Sequence, residues 1–376
     1  MKIAVVHEWL VSFAGSERVL SHILEMYPEA DLFSVIDFLP ESERSRLLYK
    51  YAKTTFIQKL PFARSKYPLY LNLMPLAIEQ LDLNGYDLVI SSSHAVAKGV
   101  ITHPGQLHIC YCHSPLRYAW DLSPAYLSSL KGLKKWIARW LLHKMRNWDV
   151  SSSHHVDAFI ANSGFIAQRI EKYYRRQAHV IYPGIDLSFF ALCEEKEDFY
   201  ITISRLVPYK KVDLIVRAFA TMPDRRLIVI GDGPEAKRLK PTKNVELKGY
   251  LPFAEMVDLL QRARGFLFAA KEDFGYVAVE AQSCGTPVIA YGAGGALETV
   301  GPGCGLFFPE QSEESIRETI QAFEKERFSP QTCRKNAERF SVERFKREFK
   351  QFVEEKWHES IHTSGRQRDA SLAYLS

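Results

Sequence analysis

Short apolar runs alternate with longer amphipathic stretches along most of the chain. In the first half the runs fall at residues 3–6, 32–36, 87–90, 108–112 and 158–161. Between the first two, Val19, Leu20, Ile23 and Leu24 recur at helical spacing. The pattern then restarts, with strand-like runs at 199–204, 227–230, 245–247, 266–269 and 287–290 and a helical face at 214–219. Short buried strands alternating with helices predict a parallel sheet covered on both faces. Two such series predict two doubly wound, Rossmann-like α/β domains. A barrel would need eight evenly repeated units, which the irregular first half does not supply. The turn-rich stretch Tyr182-Pro183-Gly184-Ile185-Asp186 marks the boundary. The expected organisation is a first domain at 1–184, a second at 185–340, a helix at 341–360 packing back on the first domain, and a loose tail at 361–376. Phe345, Phe349 and Phe352 carry that helix at spacings of four and three, and the tail is polar and unpatterned.

Composition narrows the class. Of 376 residues, 47% are hydrophobic and 25% charged, which excludes wholesale disorder and fibrous repeats. No apolar run approaches the roughly 20 residues of a membrane span. The first run is far shorter than the roughly 7–15 residues of a secretory leader. The 6 cysteines are therefore expected to be buried thiols of a cytoplasmic protein rather than a disulfide framework. A net charge of +5 suits an anionic ligand or surface but does not by itself indicate nucleic acid.

Candidate chemistry gathers in the second half. Glu272 and Glu280 bracket Asp273-Phe274-Gly275-Tyr276-Val277-Ala278-Val279. Glu272 follows a strand, and a helix starts near Val277. Gly275 lets a ligand approach the backbone, and the first helical amides suit a phosphate. Glu280 could accept hydrogen bonds from sugar or ribose hydroxyls; alternatively it lies on a solvated helix face. Ser204-Arg205-Leu206-Val207-Pro208-Tyr209-Lys210 places cations just past another strand, as a diphosphate requires, although such loops are commonplace. Gly231-Asp232-Gly233-Pro234 lacks the third glycine of a dinucleotide fingerprint, and Pro234 would sit where a helix starts. Gly292-Ala293-Gly294-Gly295-Ala296-Leu297 also follows a strand, at a loop that suits a ligand or a tight turn equally. In the first half, Cys110, Cys112 and His113 end a strand, but no second ligand pair supports zinc. His113 opens toward the expected ligand cleft between the domains, at the strand ends.

These stretches resemble a known family. Gly15-Ser16-Glu17-Arg18-Val19, Cys112-His113-Ser114-Pro115, Asn162-Ser163, Tyr182–Asp186, Arg205–Lys210, Gly231–Pro234 and the Glu272/Glu280 pair are similar to those of family 4 retaining glycosyltransferases. The resemblance is to the group that builds bacterial surface polysaccharides, and it implies the GT-B fold, two Rossmann-like domains facing a central cleft. It implies that Arg205 and Lys210 hold the donor diphosphate and stabilise the leaving charge without a metal or other cofactor. Glu272 would touch hexose hydroxyls, the backbone of Phe274, Gly275, Tyr276 and Val277 would bind sugar and phosphate, and Glu280 the ribose. Tyr250 and Leu251 would line the base, His113 would contact the donor sugar, and Gly15 would leave room for phosphate or acceptor. Ala14 stands where many relatives have a second glycine.

The implied reaction moves a hexose from a nucleoside diphosphate, UDP-glucose or a related UDP-hexose, to a lipid-linked or oligosaccharide acceptor. GDP-mannose is the near alternative; a nucleotide-sugar epimerase and a non-catalytic binding module are rivals. No carboxylate between Cys110 and Asp121 is obviously placed as a nucleophile, which favours departure and attack on one face. Residues 131–148 hold six Lys or Arg, no acid, and Trp136, Trp140 and Trp148. A basic helix with aromatic anchors fits an anionic membrane surface, so a peripheral cytoplasmic location is expected; the stripe could instead be core packing. No nucleic-acid module surrounds it.

Overall fold

A computed structural model of the chain describes residues 1–128 and 130–373. They form two compact units, Met1–Pro183 together with the chain from Phe345 on, and Gly184–Arg344.

The first unit is built on seven strands: β1 (Ile3–His7), β2 (Asp31–Ser34), β3 (Lys53–Thr54), β4 (Leu88–Ser93), β5 (Leu107–Cys112), β6 (Ala158–Ala161) and β7 (Ala178–Val180). All pair in parallel in the order β3-β2-β1-β4-β5-β6-β7. Strands β4 and β5 are buried along their whole length, so apolar residues serve both faces and alternation disappears. On one face Val5, Ile90, Ile109 and Tyr111 pack with Leu20 and Ile23 of the Gly15–Met26 helix. On the other, Ala4, Val6 and Val89 pack with Met74 and Met145.

The first of these cores is completed by the end of the chain. Phe345, Phe349, Phe352 and Val353 lie buried in it, Phe345 stands 5.9 Å from Tyr111 ring to ring, and Lys346 bridges Glu25 at 2.6 Å. Their helix spans Val342–Ala373, so it continues through 361–373, where a loose tail was expected. A docked helix supplies the nucleus that a polar continuation needs, and each further residue then adds a hydrogen bond. Residues 374–376 lie outside the described residues.

The second unit has six strands: β8 (Glu197–Ile203), β9 (Leu227–Ile230), β10 (Val245–Gly249), β11 (Ala263–Phe268), β12 (Val288–Tyr291) and β13 (Gly305–Phe308). They pair in parallel in the order β10-β9-β8-β11-β12-β13. The Val212–Ala220 and Glu313–Phe323 helices bury Ile215, Phe219, Ile316 and Ile320 against one face. The Tyr276–Ser283 and Pro330–Glu338 helices are joined by the Asn336 amide, which donates to Gln282 Oε1 at 2.6 Å and to the Thr299 carbonyl at 2.8 Å.

Strand order reverses direction between β1 and β4 in one sheet and between β8 and β11 in the other. Loops leaving the carboxyl ends of such neighbours diverge to opposite faces and open a crevice.

Candidate active site

The second unit's switch point is flanked by the loops after β8 and β11, and both carry candidate residues. After β8, the chain passes Arg205 and makes one tight helical turn, Pro208–Lys210. After β11 comes Glu272. The Lys210 ammonium meets the Glu272 carboxylate in an ion pair, with both side chains mostly withdrawn from solvent. Arg205 is exposed on the same loop.

Gly275 follows at φ +92°, left-handed backbone that a side chain would strain. It caps the Tyr276–Ser283 helix, and its carbonyl accepts from the Ala278 amide at 3.1 Å. Glu280 lies one turn further on and is only 3% exposed, which excludes the solvated-face alternative. Cations at one strand end, a helix start at the next and a buried carboxylate behind it are what a negatively charged, hydroxyl-rich ligand needs.

Glycines hold these loops in place. A Cβ at Gly231 would stand 1.8 Å from the Ser204 carbonyl oxygen, and one at Gly233 would stand 2.4 Å from that of Leu206. The Leu206 amide donates to the Asp232 carbonyl at 2.9 Å. The glycine turn therefore seats the Arg205 loop. No α-helix starts at Pro234, as had been expected; the segment makes only the short turn Ala236–Arg238. The Gly231 amide also donates to the Gly249 carbonyl at 2.8 Å, which brings Tyr250 and Leu251 into the same row of strand ends. Tyr250 is 82% exposed, and Leu251 lines a groove of about 490 Å³ with Lys248, Ala254, Glu255, Asp258 and Leu259.

Gly294 and Gly295 shape a turn against the Glu272 loop. Gly294 bridges Glu272, and the Gly295 amide donates to the Glu272 carbonyl at 2.8 Å. A Cβ on Gly295 would stand 2.5 Å from the Phe274 Cα. They fix the Glu272–Phe274 backbone, a role whose only trace in the sequence is the glycine cluster itself.

In the first unit His7, Ser92 and His113 gather at the ends of β1, β4 and β5. His113 Nε2 lies 2.9 Å from Ser92 Oγ, its amide donates to the Ser93 carbonyl at 2.8 Å, and its own carbonyl accepts from Asn162 at 3.0 Å. Burial, helped by His94, holds the His113 ring well below the usual imidazole range, so it is neutral. Beside it Glu8 is fully buried, and its carboxylate accepts from Ser93 Oγ and from the amides of His94, Ala95, Val96 and Ala97. Burial works to raise the Glu8 carboxyl, but His94 and those amides hold it below the ordinary value. Sequence reading missed His7, Glu8 and Ser92, whose roles depend on strand pairing. Gly15 opens the Gly15–Met26 helix beside this cluster. Asp121 is engaged by both of its oxygens with Arg169, each at 2.7 Å. All 6 cysteines are free thiols, and Cys110 and Cys112 lie in the buried cluster with Phe159 and Ile166.

Within 131–148 the stripe divides. Leu133, Trp136, Ile137 and Trp140 of the Gly132–Ser152 helix are exposed, Trp136 at 65%. Trp148 instead packs inward and donates to Glu79 at 2.6 Å. No helix among the described residues is long and apolar enough to cross a membrane.

Comparison with known proteins follows the same division. The family model described as Glycosyltransferase Family 4 matches residues 14–189, and that described as Glycosyl transferases group 1 matches residues 186–340. A GDP-mannose-dependent monoacylated alpha-(1-6)-phosphatidylinositol monomannoside mannosyltransferase of Corynebacterium glutamicum is 34% identical over 134 residues, 31% of this chain and 35% of that protein. The chain thus spans about a third of the length of that curated relative. Solved structures that share the fold include two that cover nearly the whole chain. Sucrose-phosphate synthase from Thermosynechococcus elongatus superposes with a TM-score of 0.74 at 16% identity, covering 96% of this chain and 100% of that one. Anabaena HepE in complex with UDP-glucose gives 0.66 at 20% identity, over 94% and 100%.

Proposed function

Since the chain belongs to glycosyltransferase family 4 and has the GT-B fold, we propose that it transfers a hexose, with retention, from a nucleoside diphosphate to a lipid-linked or oligosaccharide acceptor in polysaccharide synthesis. The observation that carries this reading is the meeting of Lys210 and Glu272 across the β8/β11 switch point, with Arg205 and the start of the Tyr276–Ser283 helix beside them.

In this reading Lys210 and Arg205 receive the negative charge that builds on the diphosphate as the anomeric bond breaks, preorganised electrostatics that call for no metal. Glu272 accepts from hexose hydroxyls, and the amides of Phe274, Gly275, Tyr276 and Val277 bind sugar and phosphate. Glu280 takes the ribose, while Tyr250 and Leu251 line the base. In the first domain we assign His113 to a sugar hydroxyl and Gly15 to phosphate or acceptor. Because Asp121 is committed to Arg169, a covalent intermediate on it is disfavoured, and we assign departure and attack to one face.

The proposed donor is UDP-glucose or a related UDP-hexose, as in the HepE complex; the mannosyltransferase relative favours GDP-mannose as the second reading. We further propose that the exposed stripe of the Gly132–Ser152 helix rests on an anionic membrane surface. Residues 56–77 support this: they carry no acid, include Lys59, Arg64 and Lys66, and expose Phe62, Leu69, Leu73 and Leu76. Thermal unfolding against a panel of UDP- and GDP-sugars tests the donor, because a ligand of the folded state raises Tm. One sugar nucleotide should stabilise and be turned over; a panel that shifts nothing and yields no product would overturn the reading.

A further inference from the structure

Four side chains of the first domain form one unbroken hydrogen-bonded line. Glu17 Oε1 lies 3.4 Å from His7 Nε2, His7 Nδ1 lies 3.1 Å from Ser92 Oγ, and Ser92 Oγ lies 2.9 Å from His113 Nε2. Strand register assembles it. His7 and Ser92 are direct partners across β1 and β4, Ser92 partners Tyr111 across β4 and β5, and His113 follows Tyr111 by two residues onto the same face. His7, Glu17 and Ser92 are all buried.

The line has a fixed direction. Glu17 is an anchored anion: the Ala14 amide and the Ser16 hydroxyl both donate to its Oε2 at 3.0 Å. Burial works to raise its carboxyl, but the hydrogen bond from His7 holds it below the ordinary value. An ionised carboxylate only accepts, so His7 Nε2 carries the proton. A His7 ring whose one proton faces Glu17 from Nε2 has a bare Nδ1, which takes the single Ser92 proton, and Ser92 Oγ in turn accepts from His113 Nε2–H. The opposite direction would need protons on both His7 nitrogens, a second buried charge 6.5 Å from the His94 ring. His94 also faces His113 at 6.3 Å. Among the described residues no protein group hydrogen-bonds His113 Nδ1.

We infer that Glu17, His7 and Ser92 are positioning residues that lock His113 in its Nε2–H tautomer, so that Nδ1 is presented as a hydrogen-bond acceptor to a hydroxyl of the bound donor sugar. The tautomer follows from the four side chains alone; the identity of the hydroxyl rests on the transferase reading above.

The full chain labelled with ¹⁵N-histidine provides the test, with His113 assigned through the signal lost in His113→Gln. Long-range ¹H–¹⁵N spectra should show Nε2 protonated and Nδ1 bare in the wild type, and a mixture of tautomers in Ser92→Ala. The same variant should raise KM for the donor about three- to tenfold, the scale of one hydrogen bond, with kcat within about twofold. A protonated Nδ1 in the wild type, or an unchanged tautomer in Ser92→Ala, would overturn the proposal, as would an unmoved KM. If no sugar nucleotide is turned over at all, the transferase reading and the hydroxyl assignment fail, and the tautomer spectra still decide the line itself.

Discussion

The Lys210 ammonium lies against the Glu272 carboxylate, joining the loop after β8 to the loop after β11. Two groups assigned to opposite parts of one donor molecule are therefore held in register by each other. Lys210→Ala should lower turnover about 100- to 1,000-fold, the scale for losing one preorganised electrostatic contact. The pair joins two loops and lies outside the hydrophobic core of the second unit, so Tm should move by only a few degrees. Steady-state transfer assays beside calorimetry would show whether rate and stability separate.

Glycine positions differ sharply in what they tolerate. Gly233→Ala sets a Cβ against the Leu206 carbonyl at φ +156°, and the Arg205 loop must move to admit it. Urea unfolding should show a loss of about 2–3 kcal/mol together with weakened donor binding. Gly132→Ala is the control. Its φ is +55° but nothing lies within 4 Å, so it should cost about 1 kcal/mol and leave donor binding intact.

His108 gives the first domain an acid-sensitive core. Its ring lies between Ser91 Oγ at 2.8 Å and the His155 carbonyl at 2.9 Å, and burial pushes its pKa from 6.5 down to about 4. Between those values the unfolded chain binds a proton that the folded chain refuses. Stability from this group is complete above pH 6.5 and falls as the pH drops toward 4, by about 3 kcal/mol over the window. Denaturant midpoints measured from pH 7 to pH 4 should decline, and His108→Gln should flatten that part of the profile.

Trp136 and Trp140 face solvent on a cationic helix. The Trp136→Ser/Trp140→Ser variant should leave melting unchanged and reduce flotation with vesicles containing anionic lipid. Equal, negligible flotation of the wild type with anionic and neutral vesicles would remove the membrane assignment.

Much of the fold was legible because buried parallel strands leave unbroken apolar runs. The runs at 158–161 and 227–230 coincide with β6 and β9. The strands that sequence does not reveal, β3, β7 and β13, are short and all lie at the edges of their sheets, where pairing on one side needs little hydrophobicity. The row of strand-end loops was legible in the same way, since each follows an apolar run. What sequence could not show was contact across the chain: Gly295 holding the Glu272 backbone, or His7 meeting Ser92 through register. The exposed aromatic stripe was left open for a related reason, since spacing places Trp136, Trp140 and Trp148 near one another without saying that only Trp148 is covered.

The return of Phe345, Phe349 and Phe352 to the first core has a consequence for biosynthesis. A ribosome that has released the chain through Arg344 has delivered the whole Gly184–Arg344 unit, while the earlier-made sheet still lacks the aromatic wedge beside Tyr111. Order of synthesis and order of completion are reversed: the half that emerges first must wait, one face uncovered, for a segment translated after the other half.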